Sequence, residues 1–191
     1  AILDEKPLAY WRCEEFEGNR LADASGNEVH GEIEGVVAYH LPGPQNESFS
    51  GDSCNVSLQL AGGTVSATIP NARSLSLWFW NGMSGAVRDN TGDLVAQGDS
   101  FRLRIGGKGD GEARGRFVLQ VGEKEFKGTT ELSLRTWRQV LVSWDGSTFN
   151  VFLDGNPEPE IRTELSGQSS GLWSLGGELP FEGRIDEVAW F

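Results

Sequence analysis

The amino-acid sequence predicts an all-β fold, a two-sheet antiparallel β-sandwich, and three features support this. Short runs of alternating apolar and polar residues recur along the chain, as expected of strands with one buried face. Clusters of Gly, Asn, Asp and Ser separate these runs, and the chain contains 26 Gly and 7 Pro. No stretch longer than about ten residues has the spacing of an amphipathic helix. The 191 residues fit one large domain spanning 1–191.

The N-terminal third contains strands of uneven clarity. A first strand is predicted from Ala9 to Phe16 and a second from Ile33 to Tyr39, with a polar turn from Asp23 to Asn27 between them. A brief strand is predicted from Ser48 to Ser50, inside a loop rich in Pro, Gly and Asn.

The strand from Leu75 to Trp80 has the clearest alternation in the chain. Its apolar residues Leu75, Leu77 and Phe79 share one face, and Trp78 and Trp80 lie on the other. The same scheme recurs from Phe101 to Ile105, where Arg102 and Arg104 point away from the apolar face.

Hairpins and turns organise the rest of the chain. A Gly-rich segment, 106–115, precedes the strand Phe117 to Val121 and predicts a hairpin with a flexible tip. The strands Trp137 to Trp144 and Thr148 to Leu153 flank an Asp-Gly turn. With final strands at Gly171 to Leu175 and Gly183 to Phe191, about twelve strands are predicted, a number expected of a large sandwich or jelly roll.

The net charge of the chain limits the classes of ligand that it is expected to bind. The formal charge of −12 argues against nucleic acid and anionic lipid as ligands, because both require clustered Lys and Arg. It is compatible with a cation or a neutral glycan, and equally with a surface that only keeps the domain soluble. No apolar run is long enough to span a membrane, so no membrane insertion is expected.

The first residue and the two cysteines give information about the compartment in which the protein is expected. The sequence begins at Ala1 without Met, which suggests a piece of a longer precursor. Cys13 and Cys54 are not spaced for zinc. Either they form one disulfide, which implies an oxidising compartment, or they are two free buried thiols.

Several segments together resemble one known family. They are Tyr10-Trp11 with Glu14-Glu15, Asp23 to Asn27 with His30-Gly31, Ser48 to Gly51, Leu75 to Trp80, Trp137 to Gly155, and the closing strand Gly183 to Val188. In order and spacing they are similar to bacterial laminin G-like jelly-roll domains of the concanavalin A-like lectin and glucanase superfamily. The resemblance implies two antiparallel sheets with the chain ends close together. It leaves function open, because this fold hosts lectins, glycosidases and adhesion domains.

The resemblance also suggests a structural calcium ion. In the family a calcium often ties the first loop to the closing strand, and Asp23 and Asp186 match those positions, with Asn27 as a weaker addition. Carboxylate and amide oxygens are ligands that calcium prefers. The alternative is that Asp23 caps a turn while Asp186 forms a salt bridge, to Arg184 or Arg12. His30 is expected to be structural, packed against the same turn.

An aromatic ligand platform is predicted on the outward side of the central strand. Trp78 and Trp80 would stack against sugar rings, whose C–H faces suit flat apolar surfaces. By the same alternation, Arg102, Arg104 and Phe152 are expected to line this surface. The alternative is that both Trp side chains fill the core.

Catalysis is not predicted. Glycosidases of the superfamily place paired carboxylates on one strand face. Here the adjacent pairs Asp186-Glu187 and Glu14-Glu15 point to opposite faces, and Glu158 and Glu160 alternate with prolines in a loop.

The leading hypothesis is a non-catalytic binding module for carbohydrate, part of a larger secreted or surface protein. It would be extracellular, periplasmic or at the cell surface. The rival hypothesis is a protein-binding, adhesion or spacer domain of the same fold. A glycosidase remains the third, if distant carboxylates converge.

Overall fold

Two antiparallel sheets form the molecule, which confirms the predicted fold class. The computed structural model describes residues 2–45, 54–98, 100–164 and 171–191. Within these residues are sixteen strands, numbered β1 to β16 in chain order and divided equally between sheet A and sheet B. The predicted strand from Ser48 to Ser50 lies outside the described residues.

Sheet A contains the first and the last strand side by side. Its strands are β1 (Ala9–Trp11), β4 (Val37–Pro42), β5 (Val56–Ala61), β7 (Ser74–Asn81), β12 (Trp137–Trp144), β13 (Thr148–Leu153), β14 (Ile161–Glu164) and β16 (Glu182–Trp190). Their order across the sheet is β14-β13-β12-β7-β16-β5-β4, and β1 also pairs with β16. The implied closeness of the two ends of the domain is therefore present, with Ala9 opposite Trp190.

Sheet B carries the strands that face sheet A across the core. They are β2 (Arg20–Leu21), β3 (Gly31–Glu34), β6 (Thr64–Thr68), β8 (Asn90–Gln97), β9 (Phe101–Gly106), β10 (Phe117–Val121), β11 (Lys124–Lys127) and β15 (Leu172–Leu175). Their order is β11-β10-β9-β8-β15-β6-β3-β2. The tip between β9 and β10, Lys108–Ala113, contains two short 3₁₀ turns that meet at a kink at Gly111, where φ is 58°.

The core lies between the sheets and is rich in aromatic rings. Trp11, Trp173 and Trp190 are almost completely buried. The ring centroid of Trp190 lies 5.8 Å from that of Trp11 and 4.6 Å from that of Trp173. These edge-on and tilted arrangements stabilise aromatic clusters beyond the area they bury. Three of the seven Trp side chains are thus core residues.

Strand β16 changes partners along its length. Its first half pairs with β5 as far as Ile185, and its last residues pair with β1 from Val188 onward. Between them the register against β7 shifts, and Glu187 adopts a positive φ of 51°. A bulge of this kind bends a strand and redirects side chains. Here it points two neighbouring carboxylates, Asp186 and Glu187, into buried positions.

The predicted strand from Ile33 to Tyr39 is in fact two strands, β3 and β4, in different sheets. Gly35 lies between them with φ of +81°, a left-handed conformation that favours glycine and turns the chain. In the residues described, no helix is long and apolar enough to cross a membrane.

Candidate functional site

The outward side of β7 carries the two Trp residues predicted as a ligand platform. Along this strand Leu75, Leu77 and Phe79 are fully buried, and the intervening side chains, including Trp78 and Trp80, are half-buried. The predicted alternation is confirmed, because the apolar row faces the core and both Trp side chains lie on the outer face of sheet A.

A pocket of about 300 Å³ opens on this same outer face, and neither Trp78 nor Trp80 is part of its lining. Gln139 stands opposite Trp78 across the β7–β12 pair, and Leu141 is opposite both Ser76 and Phe152. We call this cavity the face pocket; its lining is Ser76, Gln139, Leu141, Phe152, Gly155, Asn156 and Pro157. Of the predicted ligand residues, Phe152 lines it directly.

The turn after β13 forms one wall of the face pocket. Asp154 fixes this turn, since its carboxylate accepts hydrogen bonds from the Gln139 backbone N–H at 2.9 Å and from the Arg138 side chain at 2.5 Å. The Asn156 side chain is also fixed, because its Oδ1 accepts a hydrogen bond from the Glu158 backbone N–H at 3.1 Å. The wall is therefore built before any ligand arrives.

The face pocket combines apolar and amide groups. Leu141 and Phe152 supply apolar surface, and Leu141 is 37% exposed. The Gln139 side-chain amide donates a hydrogen bond to Ser76 Oγ at 3.1 Å, which orients both groups. No charged side chain is part of the lining among the described residues. Such a site suits an uncharged ligand with an apolar face and hydroxyl groups.

Trp80 already has a partner on its ring. The Arg184 guanidinium carbon lies 4.5 Å from the Trp80 ring centroid, within cation–π range. Arg184 is held there by a hydrogen bond to the Pro42 carbonyl oxygen at 2.9 Å. A sugar that stacked on this side of Trp80 would have to displace the arginine. The platform role of Trp78 and Trp80 stays a prediction.

Arg102 and Arg104 do not share the surface of Trp78, and that prediction is wrong. Both lie on β9 in sheet B, so they point away from the outer face of sheet A. Arg104 is almost completely buried and pairs with Asp110 at 2.7 Å and Glu125 at 2.8 Å. Arg102 pairs with Glu178 at 2.6 Å. Alternation along a strand gives the outward direction, but it does not tell which sheet the strand joins.

Sheet B also buries a carboxylate that the sequence did not reveal. Asp93 of β8 is fully buried, and its Oδ2 accepts the Leu179 backbone N–H at 3.2 Å. Burial raises the pKa of Asp93, although the Leu179 bond and the charge of Arg102 act in the opposite direction. Its second oxygen has no hydrogen-bond partner within the described residues.

The residues predicted to bind calcium are not gathered at one point. Asp23 Oδ1 accepts the backbone N–H groups of Tyr10 and Ser25, both at 2.8 Å. Asp23 Oδ2 accepts the Ser25 hydroxyl at 2.7 Å and the Val29 N–H at 3.0 Å. The pKa of Asp23 falls because these bonds outweigh the effect of burial. The Asn27 amide nitrogen donates to two main-chain carbonyls, at 3.0 and 3.2 Å.

Asp186 lies elsewhere in sheet A. Asp23 is bonded to the far edge of β1, whereas Asp186 is on β16, so the two are about 10 Å apart across the strands. The three residues therefore do not form one site, and Asp23 has the turn-capping role of the alternative interpretation. In the described ranges, no three His, Cys, Asp or Glu side chains are placed to hold a metal ion. His30 Nδ1 accepts the Asp23 N–H at 3.0 Å, which fits its expected structural role.

The surroundings of Asp186 leave oxygen atoms unsatisfied. Asp186 is fully buried, and its Oδ2 accepts the Asn55 side-chain N–H at 2.5 Å. Burial, with the adjacent charge of Glu187, raises the pKa of Asp186 to about 8. Asp186 Oδ1 and Asn55 Oδ1 are buried without a hydrogen-bond partner in the part of the chain described. Glu187 accepts a hydrogen bond from the Tyr10 hydroxyl.

The two cysteines are free thiols in the structure. Cys13 is buried and Cys54 is exposed. Burial, followed by the nearby carboxylate of Asp186, raises the pKa of the Cys13 thiol.

Comparisons with solved structures show domains that share the fold of this chain. It superposes on domain 4 of AbnA, a GH43 extracellular arabinanase from Geobacillus stearothermophilus in complex with arabinotriose, with a TM-score of 0.63 and 18% identity. That match covers 96% of this chain and 91% of the other. At under 25% identity, such likeness establishes the fold alone.

Two further structures match parts of larger chains. A mutant of Trypanosoma rangeli sialidase displaying trans-sialidase activity gives a TM-score of 0.68 at 11% identity, covering all of this chain but 31% of the sialidase. The binding domain of botulinum neurotoxin DC in complex with SialylT gives 0.54 at 15% identity, with 98% of this chain and 48% of the other covered. No curated protein sequence matches the chain significantly.

A family-level comparison matches most of the chain. The sequence model described as the concanavalin A-like lectin/glucanases superfamily matches residues 55–191, which is more than two thirds of the chain. The match confirms the resemblance seen in the sequence, and the two-sheet architecture agrees with it. The chain therefore belongs to the concanavalin A-like lectin/glucanase superfamily.

Proposed function

We propose that this chain is a non-catalytic carbohydrate-binding module that binds a neutral glycan on the outer face of sheet A, at the face pocket. The observation that carries the proposal is the composition of this pocket. Phe152 and Leu141 offer an apolar floor, and the amides of Gln139 and Asn156 with the Ser76 hydroxyl surround it. A sugar ring has the matching chemistry, with C–H groups on its faces and hydroxyls at its edge.

Charge supports a neutral ligand. The lining of the face pocket has no formal charge in the described residues, so an ionised ligand would lose hydration there without gaining a partner. The chain as a whole has a formal charge of −12, which disfavours polyanionic ligands at long range.

Related domains support the ligand class and the location. The GH43 arabinanase domain is in complex with arabinotriose and belongs to an extracellular enzyme, and the neurotoxin binding domain is in complex with SialylT. By analogy, the module acts outside the cytoplasm, in the periplasm, at the cell surface or beyond it, as part of a larger protein.

The carboxylates favour binding over hydrolysis. A retaining or inverting glycosidase needs two accessible carboxyl groups about 5 to 10 Å apart across a cleft. Asp186 and Glu187 are neighbours but buried, and Glu160 is engaged by the Thr129 and Thr130 amides at 3.0 and 2.9 Å. The face pocket itself contains no carboxylate among the described residues.

A glycan array with matched variants tests the proposal. Phe152→Ala and Leu141→Ala remove the apolar floor, and Trp78→Ala and Trp80→Ala test the neighbouring rings. Leu172→Ala is the control, because Leu172 is a similarly exposed leucine on sheet B. We expect at least a tenfold loss of affinity for Phe152→Ala and no change for Leu172→Ala.

The outcome that contradicts the proposal is equally concrete. It fails if the wild type binds no neutral glycan, or if Phe152→Ala and Leu141→Ala bind as well as the control while remaining folded by circular dichroism. Release of reducing sugar from a bound glycan would contradict the non-catalytic part alone.

A protein ligand is the second candidate, because one aromatic side chain is largely exposed on the surface. Phe16 is 72% exposed and stacks on His40, with ring centroids 4.3 Å apart. Exposed aromatic rings are enriched at protein interfaces. A cross-linked partner that is lost in Phe16→Ser but retained in Phe152→Ala would favour this function over glycan binding.

Calcium binding remains a proposal, with Asp186 as the residue of the predicted set that fits best. Asp186 Oδ1 and Asn55 Oδ1 are buried without partners in the described residues, and unsatisfied oxygens are what a hard cation takes. A bound calcium would stabilise the fold by mass action. We expect calcium to raise Tm in the wild type and not in Asp186→Asn; an unchanged Tm with calcium and with excess chelator contradicts the proposal.

A further inference from the structure

A second cavity of about 360 Å³ opens at the end of the sandwich where β7 ends and β12 begins. We call it the rim pocket; its lining is Asn81, Ser84, Gly85, Ala86, Arg114, Gly115, Glu131, Leu132, Ser133 and Leu134. None of these residues lines the face pocket. The two cavities are therefore separate sites.

Main-chain hydrogen bonds hold the three walls of the rim pocket together. The Arg135 N–H donates to the Asn81 carbonyl at 2.9 Å, and the Leu132 N–H donates to the Gly115 carbonyl at 2.7 Å. A Cβ on Gly85 would lie 2.8 Å from Arg114 Cγ and 2.9 Å from the Gly106 carbonyl oxygen. Only glycine lets the walls approach this closely, so the cavity is preformed.

Asn81 is the buried polar group of the rim pocket. It follows Phe79 in the core-facing row of β7, so the apolar interior ends at an amide, and it is only 2% exposed. Its Oδ1 accepts the Met83 backbone N–H at 3.2 Å. No hydrogen bond among the described residues uses its Nδ2, and this atom is not one of their buried polar atoms without a partner, so it reaches the cavity. This donor is available to a ligand.

The other lining groups define the chemistry of that ligand. Arg114 adds donors, Glu131 adds an acceptor, and Ser84 and Ser133 add hydroxyls, while the exposed Leu134 supplies apolar surface. The single positive and single negative side chain balance, so neither an anion nor a cation is favoured. A ligand that both donates and accepts at several points fits, and sugar hydroxyls do this.

We propose that the rim pocket is a second ligand site, which binds one residue of a neutral polyhydroxylated ligand such as a monosaccharide or a glycan end. The volume lies within the roughly 300–1,000 Å³ of small-ligand sites. Asn81 Nδ2 and Arg114 donate to ligand hydroxyls, Glu131 accepts from them, and Leu134 contacts the ring. The site goes beyond the function proposed for the face pocket and does not require it.

Amide-resolved NMR titration of the whole chain tests the proposal. The probes are D-glucose, D-galactose, D-mannose, L-arabinose and D-xylose, up to about 100 mM, well above millimolar dissociation constants. Sodium glucuronate serves as the anionic comparison. We expect at least one neutral sugar to shift the amides of residues 82–86 and 131–135, and glucuronate to shift them less.

Three variants sharpen the test. Asn81→Asp keeps an acceptor for the Met83 N–H and removes the donor, and Arg114→Met removes an exposed cation, so it leaves the fold intact. Arg20→Met, on β2, is the matched control. We expect sugar binding at the rim pocket to be at least fivefold weaker in Asn81→Asp and Arg114→Met. Binding should be unchanged in the Arg20→Met control.

Several outcomes would overturn the proposal. The first is that none of the five sugars shifts the amide signals of the rim pocket. The second is that glucuronate binds there more tightly than the neutral sugars. The third is that Arg114→Met binds the sugars with wild-type affinity. Amides of Gln139, Leu141 and Phe152 report the face pocket in the same spectra. A failure at the rim is thus distinguished from a failure of the proposed function.

Discussion

The two outward faces of the sandwich differ in how their polar groups are used. On sheet B, Arg104 is buried between Asp110 and Glu125, and Arg102 pairs with Glu178, so charges satisfy one another. On sheet A, apolar Leu141 and Phe152 remain accessible beside uncharged amides. The first arrangement stabilises the fold, and the second leaves surface that only a ligand would cover.

An outward-pointing residue is therefore not by itself a binding residue. Arg104 and Phe152 both alternate with core residues along their strands, yet their surroundings are opposite. We expect substitutions on sheet B to change mainly the stability of the fold, and substitutions on the outer face of sheet A to change mainly ligand binding.

The largest expected effect is on sheet B. Arg104→Met should reduce the free energy of unfolding by about 3 kcal/mol, because it leaves the Asp110 carboxylate, whose side chain is only 10% exposed, without its cation. Arg102→Met should cost less, about 1 kcal/mol, since its close partner Glu178 is exposed and its second partner, the buried Asp93, lies 4.0 Å away. Urea unfolding measures both. Equal losses, or loss of glycan binding by either folded variant, would contradict the separation of the faces.

A smaller effect concerns pH and Asp93. Its pKa in the folded state is raised above the unfolded value of 3.8, so between these two values the folded protein binds more protons. Stability should therefore fall as pH rises through this window, by at most about 1.4 kcal/mol per pH unit for one group. In Asp93→Asn the contribution of this residue to the pH dependence of the free energy of unfolding should be absent. Urea unfolding from about pH 4 to about pH 7 compares the two slopes; parallel curves would rule out the assignment to Asp93.

The smallest effect is expected on sheet A. Arg184→Gln removes the cation from the Trp80 ring and should cost about 0.5–1 kcal/mol of stability. It also uncovers one face of that ring, so glycan affinity should rise if Trp80 takes part in stacking. Trp80→Ala is the control, in which no gain is possible. A gain in affinity that persists in the double variant would show that the ring is not involved.

Alternation in the sequence predicted β12 and β13, whereas it missed β8, which is buried on both faces. The hairpin partners β12 and β13 have the predicted bounds, because alternation and an Asp-Gly turn mark them. β8 was missed since residues 91–97 are all buried, which removes alternation. Its polar side chains find internal partners instead, as Thr91 Oγ1 donates to the Ile105 carbonyl at 2.7 Å.

The candidate site was predictable only in part. Alternation correctly placed Phe152 outward, and it could also have revealed Gln139 and Leu141, which alternate with Val140 and Val142. What it could not give is that β12 lies between β7 and β13 whereas β9 belongs to the opposite sheet. That arrangement is set by pairing between residues distant in sequence, which no local pattern encodes.

The pairing of β1 with β16 also decides how the domain responds to mechanical load. The strands run antiparallel, with Leu8 N–H bonded to the Trp190 carbonyl at 2.7 Å, so both ends of the domain leave at the same corner. A force that pulls the two ends apart breaks the hydrogen bonds between β1 and β16 one after another. It does not load all of them at the same time, as a shearing force would. The domain would therefore yield at low force, beginning at this corner and travelling toward the bulge in β16.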